Sequence, residues 1–171
     1  VSFSVPSGAF GNLFAGTLAR EMGLPVGRFV CANNQNACLH RIFSKGLFLK
    51  ADLISCVSSA IDIVVPYNFW RFLYFIMGQD PTLLSGWVHK FNETGRIKFD
   101  QLTHDKIQRG FVSYSVDDSD TLDTIDTVFK DDGYLLDPHG SVAVAAATHM
   151  NKKRDERVLC LTTAHPAKFP E

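Results

Sequence analysis

Apolar residues open the chain in a short run from Val1 to Val5, which stops at Pro6 and a glycine-containing turn. Phe10, Leu13, Phe14, Leu18 and Met22 then recur at helical spacing, with Asn12, Thr17, Arg20 and Glu21 between them, and predict an amphipathic helix. Gly23-Leu24-Pro25 closes it, and Gly27 to Ala32 reads as a second strand. Asn33 to Asn36 make a polar turn whose side chains can cap the next helix, Ala37 to Ser44, with Leu39, Ile42 and Phe43 on one face. Strand–helix–strand–helix order predicts right-handed crossovers and a parallel sheet, with ligands held by the loops beyond the C-terminal strand ends.

From Lys45 to Pro66 periodicity fades, leaving an irregular segment with a short extended piece near Lys50. Pro66 begins a helix that is apolar nearly all round, from Tyr67 through Trp70 to Met77, which suits a core helix or contact with another domain or subunit. Pro81 to Asn92 and Gln101 to Arg109 read as helices, with Gly95-Arg96 as the exit of the first, and Phe111 to Val116 as a strand. Asp117, Asp118, Ser119, Asp120 and Asp123 crowd the start of a helix running to about Lys130, with Ser119 as its cap. The acids match the positive end of the dipole and read as a solvated helix start rather than a metal site. An Ala-rich helix from Gly140 to Met150, a charged turn from Lys152 to Arg157 and a buried parallel strand from Val158 to Thr163 complete the pattern. The expectation is one α/β domain over residues 1–171, three layers deep around a mostly parallel sheet.

Composition narrows the function. A net charge of −1 gives no footprint for nucleic acid and no polybasic membrane patch. The most apolar window, Ile61 to Met77, is interrupted by Asp62, Pro66, Asn68 and Arg71 and too short to span a bilayer. Cys31, Cys38, Cys56 and Cys160 are scattered without a paired spacing, which disfavours zinc and suits reduced thiols in a cytoplasmic setting. Fourteen Phe is high for this length and suggests apolar surface beyond the chain's own core.

The chemistry starts at Val5-Pro6-Ser7-Gly8-Ala9-Phe10-Gly11-Asn12. Strand, glycine turn and helix place unpaired N–H groups and a helix dipole before an anion, and Gly8 and Gly11 can take positive φ. The same pair of glycines also serves a plain tight turn, and neither the P-loop nor the dinucleotide pattern fits.

Pro6 to Asn12 resembles the Pro-Thr/Ser-Gly-Asn-Phe-Gly-Asp/Asn phosphate loop of threonine synthases, pyridoxal-phosphate enzymes of fold type II. Three later stretches match in order: Ile61 to Arg71, Asp137-Pro138-His139-Gly140-Ser141-Val142-Ala143, and Thr163-Ala164-His165-Pro166-Ala167-Lys168-Phe169. The resemblance implies that Gly8, Ala9, Phe10, Gly11 and Asn12 hold the cofactor phosphate through backbone N–H groups, with Ala9 replacing the family's Asn. It implies Thr163, rather than the competing Thr162, as partner of the pyridine nitrogen, and turn-forming roles for His139 and His165.

No Lys here lies in the family's Ser-Phe-Lys-Asp context, so the resemblance implies the C-terminal portion of a longer enzyme whose Schiff-base lysine lies in its N-terminal portion. That enzyme would be a phospho-lyase of threonine biosynthesis, converting O-phospho-L-homoserine and water to L-threonine and phosphate. This portion alone is expected to be inactive, and its oligomeric state is left open. The alternatives are a non-catalytic homologue that binds a phosphorylated ligand or a protein, and a related elimination enzyme.

Overall fold

The computed structural model describes residues 1–151 and 156–169. Four strands form a parallel sheet: β1 (Ser2–Pro6), β2 (Phe29–Asn33), β5 (Phe111–Ser115) and β6 (Val158–Cys160), in the order β5-β2-β1-β6. In register, Phe3 lies beside Phe29, and Phe29 beside Phe111. A second, antiparallel ladder joins β3 (Leu47–Leu49) to β4 (Arg96–Lys98).

Period-two alternation decides what each sheet face carries. Phe3, Val5, Phe29, Cys31 and Phe111 point into the larger core. That core is covered by α1 (Gly11–Glu21), α2 (Cys38–Lys45), α3 (Phe69–Ile76), α4 (Pro81–Thr94) and α5 (Gln101–Gln108). Val30, Ala32 and Val112 point the other way, onto α7 (Pro138–Asn151). On that face β1 carries Ser4, whose hydroxyl donates to the Ala143 carbonyl at 2.6 Å, so the Ala-rich α7 lies close against the sheet. Helix α6 (Asp118–Asp132) packs on the outside of α7, completing three layers.

Phe10 is the hub of the larger core. Its ring centroid lies 5.4 Å from Phe69, 5.1 Å from Phe72, 5.9 Å from Phe43 and 6.0 Å from Phe111. Phe10, Phe29, Phe43, Phe48, Phe69, Phe72, Phe91, Phe99 and Phe111 are all buried, so most of the phenylalanine surplus is spent inside the chain rather than on an outer surface. Helix α3 buries Phe69, Phe72 and Leu73 and exposes Tyr74, so it is a core helix on one face only, and Tyr67, just before it, is exposed as well.

The remaining differences from the sequence pattern have local causes. Strand β6 is shorter than the run from Val158 to Thr163, and Leu159 is 53% exposed, because among the described residues β6 pairs only with β1 and forms the sheet edge. The cap of α6 is Asp117, not Ser119: its carboxylate accepts from Asp120 N at 2.8 Å, so the helix starts earlier. Helix α2 has no side-chain bond from its own N-cap residue, yet Asn33 Oδ1 accepts from His40 N in its first turn. The charged turn falls largely outside the described residues.

Helix α4 begins with Pro81 behind Asp80, whose Oδ1 accepts from Thr82 N and Leu83 N at 2.9 and 3.0 Å. Asp80→Ala is expected to lower stability by about 0.5–2 kcal/mol, read as a shift of the urea midpoint at unchanged slope.

Candidate anion and cofactor site

The four stretches singled out in the sequence meet at the C-terminal edge of the parallel sheet. Strand β1 delivers Ser7 to Phe10 there, and Ser7 N donates to the Ala32 carbonyl at the end of β2. The segment 61–68 closes over this loop: Asn68 N donates to the Ala9 carbonyl at 3.1 Å. A Cβ on Gly8 would stand 3.0 Å from both Cα and the carbonyl oxygen of Ile61, and 2.9 Å from Ile63 Cδ1. Gly8 is therefore required for close approach of two backbones, not for positive φ.

Neither Gly8 nor Gly11 has positive φ. The left-handed residue is Phe10, at φ 69° and ψ 11°. A bulky residue in that region carries strain, which its buried ring offsets by filling the aromatic hub. A left-handed residue directly before a right-handed helix turns successive N–H groups to one side, forming a concave anion nest. The N–H groups of Ala9, Phe10, Gly11 and Asn12 make no hydrogen bond to another described residue. The first bond of the helix is Phe14 N to the Phe10 carbonyl, at 3.0 Å. Four unpaired donors, partly exposed and at the positive end of an eleven-residue helix, form a ready anion site that fits a phosphate group.

Asn68 is a residue that the pattern reading passed over. Its Nδ2 lies 3.4 Å from where a Gly11 Cβ would stand, and its side-chain amide makes no hydrogen bond to a described residue. The signal was its place directly before the apolar helix, within the matched segment.

Thr163 follows β6, the neighbour of β1, and is exposed at the same sheet edge. The γ-methyl of Thr162 lies 3.0 Å from a Cβ position on Gly140, directed at the start of α7. The last two matched motifs also touch, with the Phe169 ring 4.7 Å from His139.

His139 and Asp137 are both buried. Asp137 accepts from His139 N, Gly140 N and His139 Nδ1 at 2.9, 3.2 and 2.8 Å. His139 Nε2 accepts from Ala60 N at 3.0 Å, which sets the neutral tautomer with the proton on Nδ1. His165 Nδ1 accepts from Ala167 N at 3.2 Å in the turn Pro166–Lys168. Both histidines thus organise turns. The Asn-rich turn does likewise: Asn34 and Asn36 donate to Asp62 Oδ1 at 2.7 and 3.0 Å, and Cys56 N donates to Asp62 Oδ2. It pins the loop 54–62 over the sheet edge instead of facing a ligand.

All four thiols are free. Burial pushes the Cys38 thiol up to about 12 and Cys56, helped by nearby Asp62, to about 11; burial raises Cys31 and Cys160 as well. Because the thiolate is the reactive form, native protein at pH 8 is expected to resist iodoacetamide at Cys31 and Cys38, with all four labelled after unfolding. Peptide mapping of the alkylated protein reads this out.

No family model matches the chain. The threonine synthase of Pseudomonas aeruginosa is 38% identical to it over 171 residues, which are 100% of this chain and 36% of that protein. The crystal structure of threonine synthase from yeast matches with a TM-score of 0.94 at 30% identity, over 99% of this chain and 37% of that one. The pyridoxal-phosphate-bound threonine synthase of Brucella melitensis matches at 0.93 and 34%, over 99% of this chain and 36% of that one. The chain thus spans just over a third of the length of these relatives. A parallel α/β sheet with this loop at its C-terminal edge is the pyridoxal-phosphate fold type II architecture. Within that class, the chain belongs to the threonine synthase family.

Proposed function

We propose that this chain is the C-terminal, phosphate-binding portion of a pyridoxal-phosphate-dependent threonine synthase, which converts O-phospho-L-homoserine and water to L-threonine and phosphate. The observation that carries the reading is the nest at Phe10, four unpaired N–H groups at the head of α1. Gly8, Ala9, Phe10, Gly11 and Asn12 hold the cofactor phosphate, with the side-chain amide of Asn68 beside them. Pyridoxal phosphate, when bound, supplies an electron sink for carbanion chemistry on an amino-acid substrate. The Thr163 hydroxyl takes the pyridine nitrogen, to which it can donate or accept without enforcing a positive charge there. Ile61 and Ile63 wall the loop from behind, and the Asp137–His139 pair fixes the turn on which Phe169 rests. The Schiff-base lysine belongs to the N-terminal portion of the enzyme in this reading. Four free thiols suit a cytoplasmic setting.

The test is phosphate release by the full-length protein given cofactor and O-phospho-L-homoserine. Thr163→Val is expected to slow release about 10- to 100-fold, in line with ~1–3 kcal/mol for leaving the ring nitrogen without its hydrogen-bond partner, while Thr163→Ser retains most of it. Absence of turnover in a folded, cofactor-loaded protein would overturn the reading. Ala9 favours one second reading, a non-catalytic homologue binding a phosphorylated ligand or a protein, because it keeps the backbone donors but lacks a donor side chain.

A further inference from the structure

The end of the molecule opposite the nest carries a second feature. Helix α1, about 16 Å long at 1.5 Å per residue, runs from the nest to a cavity of about 380 Å³ between the last turns of α1, α3 and α5. Its volume falls in the range of about 300–1,000 Å³ usual for small-molecule sites. Phe72, Phe75 and Ile76 give it an apolar floor, and Arg20, Lys106 and Arg109 bring three cations against the single carboxylate of Glu21.

Arg20 is held in place for an incoming anion. Its guanidinium lies over the rings of Phe29 and Phe111, at 5.5 and 5.7 Å from their centroids. Gly110, with φ +80°, leaves the room it needs, since a side chain there would run into Nη1. The Arg20 side chain is only 22% exposed, and its nearest counter-charge, Glu21 Oε1, stands 3.8 Å from Nε. The guanidinium makes no hydrogen bond to another described residue, so a fork of donors, backed by the two rings and open to solvent on its outer side, is left for an anion. Cations in the last turns of α1 and α5 complement the helix dipoles, which accounts for their sign but not for a cavity floored with aromatic rings. A neighbouring apolar hollow, lined by Phe14, Trp70 and Tyr74, shares Phe75 and Gln79 with this cavity as a common wall.

The geometry points to a binding site for a small amphipathic anion: a carboxylate on Arg20, Lys106 and Arg109, and an apolar body along Phe75 toward the second hollow. A bidentate carboxylate satisfies the guanidinium, and the hydrocarbon covers aromatic surface that is otherwise wet. The site is separate from the nest, and its test does not depend on turnover.

The probe is 4-phenylbutyrate, titrated by calorimetry into the full-length protein saturated with pyridoxal phosphate, so that an anion already fills the loop ahead of α1. Saturable one-to-one binding is expected. The neutral amide of the same acid should bind about tenfold more weakly or worse, since it cannot form the charge-assisted pair. The double variant Lys106→Glu/Arg109→Glu changes two exposed side chains and so keeps the fold; it should weaken the acid to a similar extent and leave the amide unaffected. Lys130→Glu, on α6, should change neither. No saturable binding, equal affinity for acid and amide, or indifference to the double reversal would each overturn the proposal.

Discussion

Asp137→Ala is expected to cost about 3–5 kcal/mol, enough to bring a domain of ordinary stability close to unfolding. The carboxylate is buried and accepts three hydrogen bonds, two from the first-turn N–H groups of α7 and one from His139 Nδ1. Removing it leaves those donors unpaired in a dry site and frees the imidazole, whose other nitrogen holds Ala60 N. The disturbance then reaches the loop 54–62 and, through Asp62, the Asn34–Asn36 turn. Asp137→Asn keeps the shape and part of the acceptor capacity and should cost less. Chemical denaturation of both variants, followed by far-ultraviolet circular dichroism, gives the comparison; equal stability of Asp137→Ala and the parent would refute the role.

Gly8→Ala should have the second large effect, at the site itself. The added methyl meets the Ile61 backbone at 3.0 Å, and backbone cannot step aside as the tip of a side chain can. Overpacking of this kind costs about 1–3 kcal/mol. The loop must also move, and displacing preorganised donors by about 1 Å can cost on the order of 100-fold. Cofactor affinity in the full-length protein, from an absorbance titration, is expected to fall at least tenfold, a difference of about 1.4 kcal/mol. Gly11→Ala is the contrast. Its Cβ meets only Asn68 Nδ2, at 3.4 Å, and its φ is ordinary, so the fold should tolerate it.

The two glycines show where reading residues alone stops. Strand, turn and helix were legible because apolar periodicity and the Pro6-Ser7-Gly8 break are local signals. Which residue takes the left-handed conformation was not, because Phe10 is held there by Phe43, Phe69, Phe72 and Phe111, all of them more than thirty residues away in the chain. The parallel sheet followed from element order, whereas the β3–β4 ladder did not, since three-residue strands carry too little alternation to be seen. Leu159 looked like core because Val158 to Leu161 is uniformly apolar, and only the strand order makes that run an edge. The matched motifs indicated which stretches matter. That all four meet at one sheet edge is a property of the topology, visible through contacts such as Gly8 against Ile61 and His139 against Phe169.

The double duty of Phe10 has a thermodynamic corollary. Its ring is clamped in the core while its N–H and those beside it face outward unbonded, so the nest is frozen as the chain folds. An arriving phosphate then finds donors with little motional freedom left to lose, and the conformational entropy that usually opposes anion capture by a loop is already spent. These amides should exchange with solvent deuterium quickly in the empty protein despite belonging to a rigid segment, and slow sharply when an anion sits on them. Fast exchange here would report an absence of acceptors rather than an absence of order.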